Sequence, residues 1–173
     1  LSKSLKKLIK LDLKKIRSKK KNFSNLNFFQ IPNIMGVLNL TPDSFSDGGK
    51  FNTSNKSLKH ALEMFNSGAN VIDIGGESTR PGSKPINDKI EWKRIEKIIK
   101  LLCKKIPISL DTRKSEVMKK GIKHGVEIIN DVSGLDYDSG TISVLKKHKT
   151  PFVIQHSQGT PEKMQNKPRY KNE

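Results

Sequence analysis

The sequence predicts an α/β fold, an incomplete (β/α)₈ TIM barrel with about five of its eight βα units. Short apolar runs alternate with segments of helical apolar spacing, which is typical of a parallel sheet covered by helices. Polar side chains follow five successive apolar runs, whereas a doubly wound sheet gathers ligands mainly at one switch point. A full barrel takes about 250 residues and this sequence has 173. We therefore expect a fragment, or one half of a split protein.

The predicted strands are the apolar runs at 34–40, 71–74, 106–110, 126–129 and 152–154. Between the first two runs, Leu58, Ala61, Leu62 and Phe65 recur at i, i+3, i+4 and i+7, which places them on one helical face. Gly68 stands where that helix would end. Similar spacing at 95–102, 117–122 and 142–145 predicts the later helices.

Charge is concentrated at the start of the chain. The net charge is +17, and residues 1–21 hold ten Lys or Arg and one acid. We expect a basic, helical leader over 1–30 and a barrel domain over 31–173. The lysines have no interleaved aromatic residues on which bases could stack, which disfavours nucleic acid as a partner.

Cys103 is the single cysteine of the sequence. An intrachain disulfide is therefore excluded, which favours a reducing compartment, and we expect the cytoplasm. The sequence has no run of 18 apolar residues, so we expect no membrane partner.

Two of the polar strand ends suit charged ligands. Asn39 offers a neutral oxygen of the kind that Mg²⁺ accepts, or it is a turn amide bonded to its own backbone. The segment from Glu77 to Ser83 combines hydroxyls, Gly82 and Arg80, and two more glycines precede it, a set that can hold phosphate oxygens. The same composition also fits an ordinary loop with a solvated arginine.

Three further strand ends carry Asp111, Asn130 and His156. An Asp beside an Asn could read the donor and acceptor edge of a flat heterocycle. Alternatively, Asp111 pairs with Arg113 or Lys114, and Asn130 caps a helix or forms a turn. His156 could be an acid or base, or it could orient a loop.

Four segments, 35–49, 68–82, 108–114 and 128–134, together resemble dihydropteroate synthase. The resemblance covers about residues 33–168. It implies a TIM barrel of the pterin-binding class, in which p-aminobenzoate is joined to 6-hydroxymethyl-7,8-dihydropterin diphosphate with Mg²⁺ assisting. Dihydropteroate for folate biosynthesis and pyrophosphate are the implied products.

The resemblance also implies roles for individual residues. Asn39 matches the metal ligand, and Arg80 and Asp43 match the catalytic positions. The positions that contact the two substrates are matched by Thr79, Arg80, Asp111, Asn130, Phe45, Pro81 and Ser83. Gln155 and Ser157 depart from the family, which usually has Met on both sides of the histidine at 156.

Other functions remain open at this stage. One is a methyltetrahydrofolate-type pterin methyltransferase, and another is a non-catalytic remnant that binds pterin. A basic module that binds nucleic acid is the third. The oligomeric state is also open, and the full-length protein could form a homodimer. Since half of the barrel mouth is missing, we expect these 173 residues alone to be inactive.

Overall fold

The computed structural model describes residues 2–17, 32–41, 50–78 and 83–155 of the chain. Helices and strands alternate in these ranges, as the sequence predicts. In chain order they are α1 (Lys3–Arg17), β1 (Met35–Asn39), α2 (Lys50–Asn66), β2 (Val71–Gly75), α3 (Asp88–Leu102), β3 (Ile108–Asp111), α4 (Ser115–Lys123), β4 (Ile128–Asp131), α5 (Thr141–His148) and β5 (Phe152–Ile154).

The described strands form one parallel sheet in the order β1-β2-β3-β4-β5. Each strand pairs with the next strand along the chain, and the order never reverses. A doubly wound sheet reverses at its switch point, whereas a barrel continues in one direction. The predicted α/β class and the partial barrel are confirmed.

Two strands begin later than predicted. The runs at 106–110 and 126–129 become β3 and β4, which start at Ile108 and Ile128. Pro107 lacks the N–H that a central ladder position requires. Val126 donates its N–H to the carbonyl of Gly121 at 3.1 Å, so it belongs to the turn that ends α4.

Helix α3 shows how local sequence sets these elements. The side chain of Asn87 accepts a hydrogen bond from the N–H of Ile90 at 2.8 Å, which caps the first turn. Ile95, Ile99 and Leu102 are buried at helical spacing against the sheet. The spacing of these apolar residues therefore determines which face of α3 packs against the sheet.

The core lies between the helices and one face of the sheet. Ile72, Ile74 and Leu110 point to this face and are fully buried. Helix α4 comes close to β3 at Gly121, where a Cβ atom would collide with the side chain of Leu110. Because strand side chains alternate, the remaining residues of β2 and β3 face the barrel interior.

Helix α1 is amphipathic and carries exposed apolar residues, among them Leu5, Leu8 and Ile9. Across the described ranges, we find no helix with the length and apolar character needed to cross a membrane.

Candidate active site at the carboxyl edge of the sheet

Three of the predicted site residues share one row of the sheet. The strand register aligns Asn39 with Gly75, Gly75 with Asp111, and Asp111 with Asn130. All four lie at or near the carboxyl ends of their strands, on the interior face. In parallel α/β folds this edge is where ligands bind. The structure therefore brings Asn39, Asp111 and Asn130 to one mouth.

Gly75 leaves a notch between two oxygen atoms. A Cβ atom at this position would lie 3.2 Å from Asn39 Oδ1 and 3.3 Å from Asp111 Oδ2. An amide oxygen and a carboxylate oxygen are donor types that a hard cation such as Mg²⁺ accepts, with waters and phosphate oxygens as its further ligands. Among the described residues, no group of three or more His, Cys, Asp or Glu could hold a metal unaided.

The electrostatic environment of Asp111 is unusual. Burial, and then the nearby charges of Asp73, Glu91, Asp131 and Glu77, together raise the pKa of its carboxyl group to about 7. A ligand donor or a cation at the notch would favour the charged form. Asp111 is therefore prepared to accept hydrogen bonds once a ligand arrives.

Asn130 meets Asp73 across the interior face. Its Nδ2 donates to Asp73 Oδ2 at 3.0 Å, although the two residues lie on strands separated by β3. The intervening residue, Ser109, is in register with Asp73 and is small enough to leave room. Asn130 lies within β4 and is not a cap. The turn after β4 is instead held by Asp131 Oδ1, which accepts from the N–H of Ser133 at 2.8 Å.

Arg113 and Lys114 do not pair with Asp111, the alternative that the sequence left open. Arg113 Nε lies 3.0 Å from Glu77 Oε2, and Lys114 Nζ lies 2.8 Å from the same oxygen. Lys114 Nζ also lies 2.6 Å from Glu91 Oε2. These four buried side chains form a neutral network of two acids and two cations.

This buried network fastens neighbouring loops to one another. Glu77 Oε1 accepts from the N–H of Ile86 at 2.8 Å, and the Arg113 guanidinium lies 3.9 Å from the ring centroid of Tyr137. Burial works to raise the pKa of Glu77, but hydrogen bonds from Arg113 and Lys114 outweigh it and hold the pKa below its usual value. The loops after β2, β3 and β4 are thus joined by charged contacts.

Several predicted site residues lie outside the described ranges. These are Asp43, Phe45, Thr79, Arg80, Pro81 and His156. Ser157, which replaces a Met usual in the family, also lies outside them. Ser83 is described, and its hydroxyl donates to the carbonyl of Ser78 at 2.6 Å. Its contact with substrate stays a prediction.

Sequence reasoning missed the role of Glu91, and it counted Asp73 among the polar strand ends without foreseeing its contact with Asn130. Glu91 is fully buried, and it precedes Ile95 by four positions and Ile98 by seven on the apolar face of α3. A buried acid on an apolar helical face requires a cation as its partner. The position of Glu91 in the apolar pattern of α3 could therefore have predicted a buried ion pair. Asp73 stands within the apolar run of β2 and carried a similar signal.

Comparison with known proteins agrees with this geometry. A protein-family model described as "Pterin binding enzyme" matches residues 35–173. Dihydropteroate synthase of Bacillus subtilis (strain 168) is 44% identical over 136 residues, which cover 78% of this chain and 48% of the relative. The enzyme of Escherichia coli (strain K12) is 41% identical over 141 residues, covering 80% and 50%. The chain spans about half the length of these curated relatives.

Two solved structures show the same similarity. Dihydropteroate synthase of Xanthomonas albilineans with 4-aminobenzoic acid superposes with a TM-score of 0.72 at 38% identity, covering 80% of this chain and 49% of that one. The Burkholderia cenocepacia enzyme complexed with 7,8-dihydropteroate has a TM-score of 0.70 at 33% identity, covering 84% and 49%.

Proposed function

Because this chain belongs to the pterin-binding enzyme family, we propose that the intact protein carries out the dihydropteroate synthase reaction. The amine of p-aminobenzoate would form a bond to the exocyclic methylene of 6-hydroxymethyl-7,8-dihydropterin diphosphate. The bond from that carbon to the diphosphate oxygen would break, the amine would release a proton, and pyrophosphate would leave. The methyltransferase alternative has no comparable support among the relatives described above.

The observation that carries this proposal is the row of Asn39, Gly75, Asp111 and Asn130 at one sheet edge. Asp111 and Asn130 would bind the pterin, since a carboxylate accepts hydrogen bonds and an amide both accepts and donates. A pterin ring presents donors and acceptors along its edge in the same plane. Gly75 has no side chain to fill the space beside Asp111.

The amide oxygen of Asn39 is a donor of the type that Mg²⁺ accepts. We propose that Asn39 would hold the ion together with phosphate oxygens of the substrate. Bound there, Mg²⁺ would supply positive charge that stabilises the leaving diphosphate. Thr79 and Arg80 would contribute hydrogen bonds to the same group.

The aminobenzoate would lie against the first loop of the domain, with Asp43 and Phe45 near it, and Pro81 and Ser83 would belong to a second substrate loop. These roles rest on the sequence resemblance. The cytoplasm remains the expected compartment, on the basis of the single cysteine.

The proposal is tested with the intact protein, both substrates and Mg²⁺. We expect dihydropteroate and pyrophosphate to appear in equal amounts, and neither to appear when p-aminobenzoate is omitted. Methyl transfer from methyltetrahydrofolate, or binding of pterin with no condensation, would overturn it.

A pair of matched variants tests the site. Asp111→Asn removes the charge that accepts from the pterin and should lower kcat/KM about tenfold to a hundredfold, the range expected for a hydrogen bond to a charged group. The same change at Asp136, which is exposed in the loop after β4, should leave kcat/KM within twofold. Equal losses at both positions would count against a pterin contact at Asp111.

Arg80→Ala tests the diphosphate contact separately. It should weaken binding of the diphosphate substrate more than binding of the free hydroxymethylpterin. Equal losses for the two ligands would remove Arg80 from the diphosphate site.

A further inference from the structure

Asp73 is a buried carboxylate that no step of the proposed reaction uses. It is 4% exposed, and it lies two residues before Gly75 on β2. Its Oδ2 accepts the hydrogen bond from Asn130 Nδ2 at 3.0 Å. Burial raises the pKa of Asp73, and hydrogen bonds with Ser109 and then Asn130 work in the opposite direction.

The side-chain amide of Asn130 has two chemically opposite ends. Its NH₂ group is a donor and its oxygen is an acceptor, and a half-turn about the last side-chain bond exchanges them. A carboxylate without a proton can only accept, so it pairs with the NH₂ end. In the described part of the structure, no side chain or backbone group donates to Asn130 Oδ1.

We infer that Asp73 is a positioning residue, which fixes the amide of Asn130 so that Oδ1 faces the mouth as an acceptor for an N–H group of the pterin. The inference rests on the proposed function, since it concerns how the same site recognises its substrate. It assigns to Asp73 a role in selecting a ligand that offers a donor at this position. Ser109 permits the arrangement because its small side chain leaves the two residues in contact across β3.

The orientation role predicts a graded response to substitution. Asp73→Ala removes the acceptor altogether, so Asn130 can adopt other side-chain rotamers as well as both amide orientations. The smaller competent fraction should weaken binding of 6-hydroxymethyl-7,8-dihydropterin by about fivefold to tenfold. Asp73→Asn keeps an acceptor and adds a donor, so both orientations of Asn130 become available. If half of the molecules present Oδ1, the apparent affinity falls by about twofold. A role through charge alone predicts equal losses, because both variants remove the same charge.

Binding should be measured by calorimetry on the intact protein at pH 8.5, above the pKa of about 7 for Asp111. At this pH Asp111 is already ionised, so removing the neighbouring charge of Asp73 no longer changes its protonation. Asp131→Asn is the matched control: it alters a buried carboxylate of β4 that accepts from Ser133. We expect it to leave the dissociation constant within twofold.

A double-mutant cycle separates positioning from a general effect on the fold. In an Asn130→Ala background, Asp73→Ala should change pterin binding by less than twofold, because there is no amide left to orient. The inference is overturned if Asp73→Ala has the same effect in both backgrounds, or if Asp73→Ala and Asp73→Asn lose affinity equally. If the wild-type protein does not bind the pterin at all, the proposed function fails instead.

A measurement on the wild-type protein covers the case in which the Asp73 variants do not fold. Nitrogen-15 NMR can follow the exchange of the Asn130 Nδ2 protons with solvent. Because Nδ2 donates to Asp73, this exchange should be slow both with and without pterin. Fast exchange in the free protein would overturn the inference.

Discussion

Lys114 is the side chain whose loss should reveal the cost of the buried charge network. Its Nζ lies between two carboxylates, 2.8 Å from Glu77 Oε2 and 2.6 Å from Glu91 Oε2. Lys114→Met keeps most of the side-chain volume and removes the charge. Glu77 still has Arg113 and the N–H of Ile86 as partners. Glu91 loses its ion-pair partner while it is fully buried.

Removing one partner of a buried pair costs about 3 to 5 kcal/mol, because the other charge is left uncompensated. We expect a loss of this size in the free energy of unfolding, measured by urea denaturation at pH 7. The exposed pair of Lys119 and Glu116, with side chains 50% and 54% exposed, provides the matched control. Lys119→Met should cost less than about 1 kcal/mol.

The pH dependence of the loss follows from the remaining acids. Burial already raises the pKa of Glu91 above its ordinary 4.5, against the effect of Lys114, and the pKa should rise further without that cation. A carboxyl group with a raised folded-state pKa binds more protons in the folded state, so its contribution to stability falls as pH rises. Loss of Lys114 also raises the pKa of Glu77. The penalty should therefore be larger at pH 8 than at pH 5.

A second substitution tests the cause. Adding Glu91→Met to Lys114→Met removes the uncompensated charge, and it should restore most of the lost stability. Gly76 packs close to the Cγ atom of Glu91. Met is chosen because its side chain, like that of Glu, is unbranched at Cγ and should fit the same space. The reasoning is refuted if the double variant is no more stable than Lys114→Met, or if the penalty does not change with pH.

The remaining predictions concern helix packing and the cysteine. Gly121→Ala should destabilise the protein by about 1 to 3 kcal/mol in urea unfolding, because the new methyl group collides with Leu110; Lys123→Ala, on the exposed side of the same helix, should cost under about 0.5 kcal/mol. A loss for Gly121→Ala no larger than the control's would contradict the close approach. Burial, and then Glu127, raises the pKa of Cys103 to about 12. At pH 8, iodoacetamide should therefore react about a thousandfold more slowly than in the urea-unfolded protein, in proportion to the thiolate fraction, and comparable rates would contradict the burial.

The pattern of apolar residues was sufficient to predict the alternation of helices and strands and their approximate bounds. It was also sufficient to place Asn39, Asp111 and Asn130 at the ends of parallel strands, where register brings them together. Both conclusions depend on local spacing. Each strand and the helix that follows it are formed by contiguous residues, so local apolar spacing is enough to predict them.

The partners of buried charges could not be predicted in the same way. Arg113 and Lys114 stand close to Asp111 in the sequence, but they bond to Glu77 and Glu91, which are 23 to 37 positions away. Asp111 faces the interior, whereas the two cations lie in the loop after β3. Which acid meets which cation depends on how the loops cross, and local spacing does not encode that path.

The sequential order of the strands bears on how the sheet assembles. Because β1 pairs with β2, and each later strand with its predecessor, each pairing closes a single loop through one intervening segment. The entropy cost of each closure is therefore that of a short loop, and it does not grow as the sheet widens. We expect assembly to proceed by adding neighbouring units to an existing pair, so that a slow step in one unit delays those beyond it and leaves the earlier pairs formed.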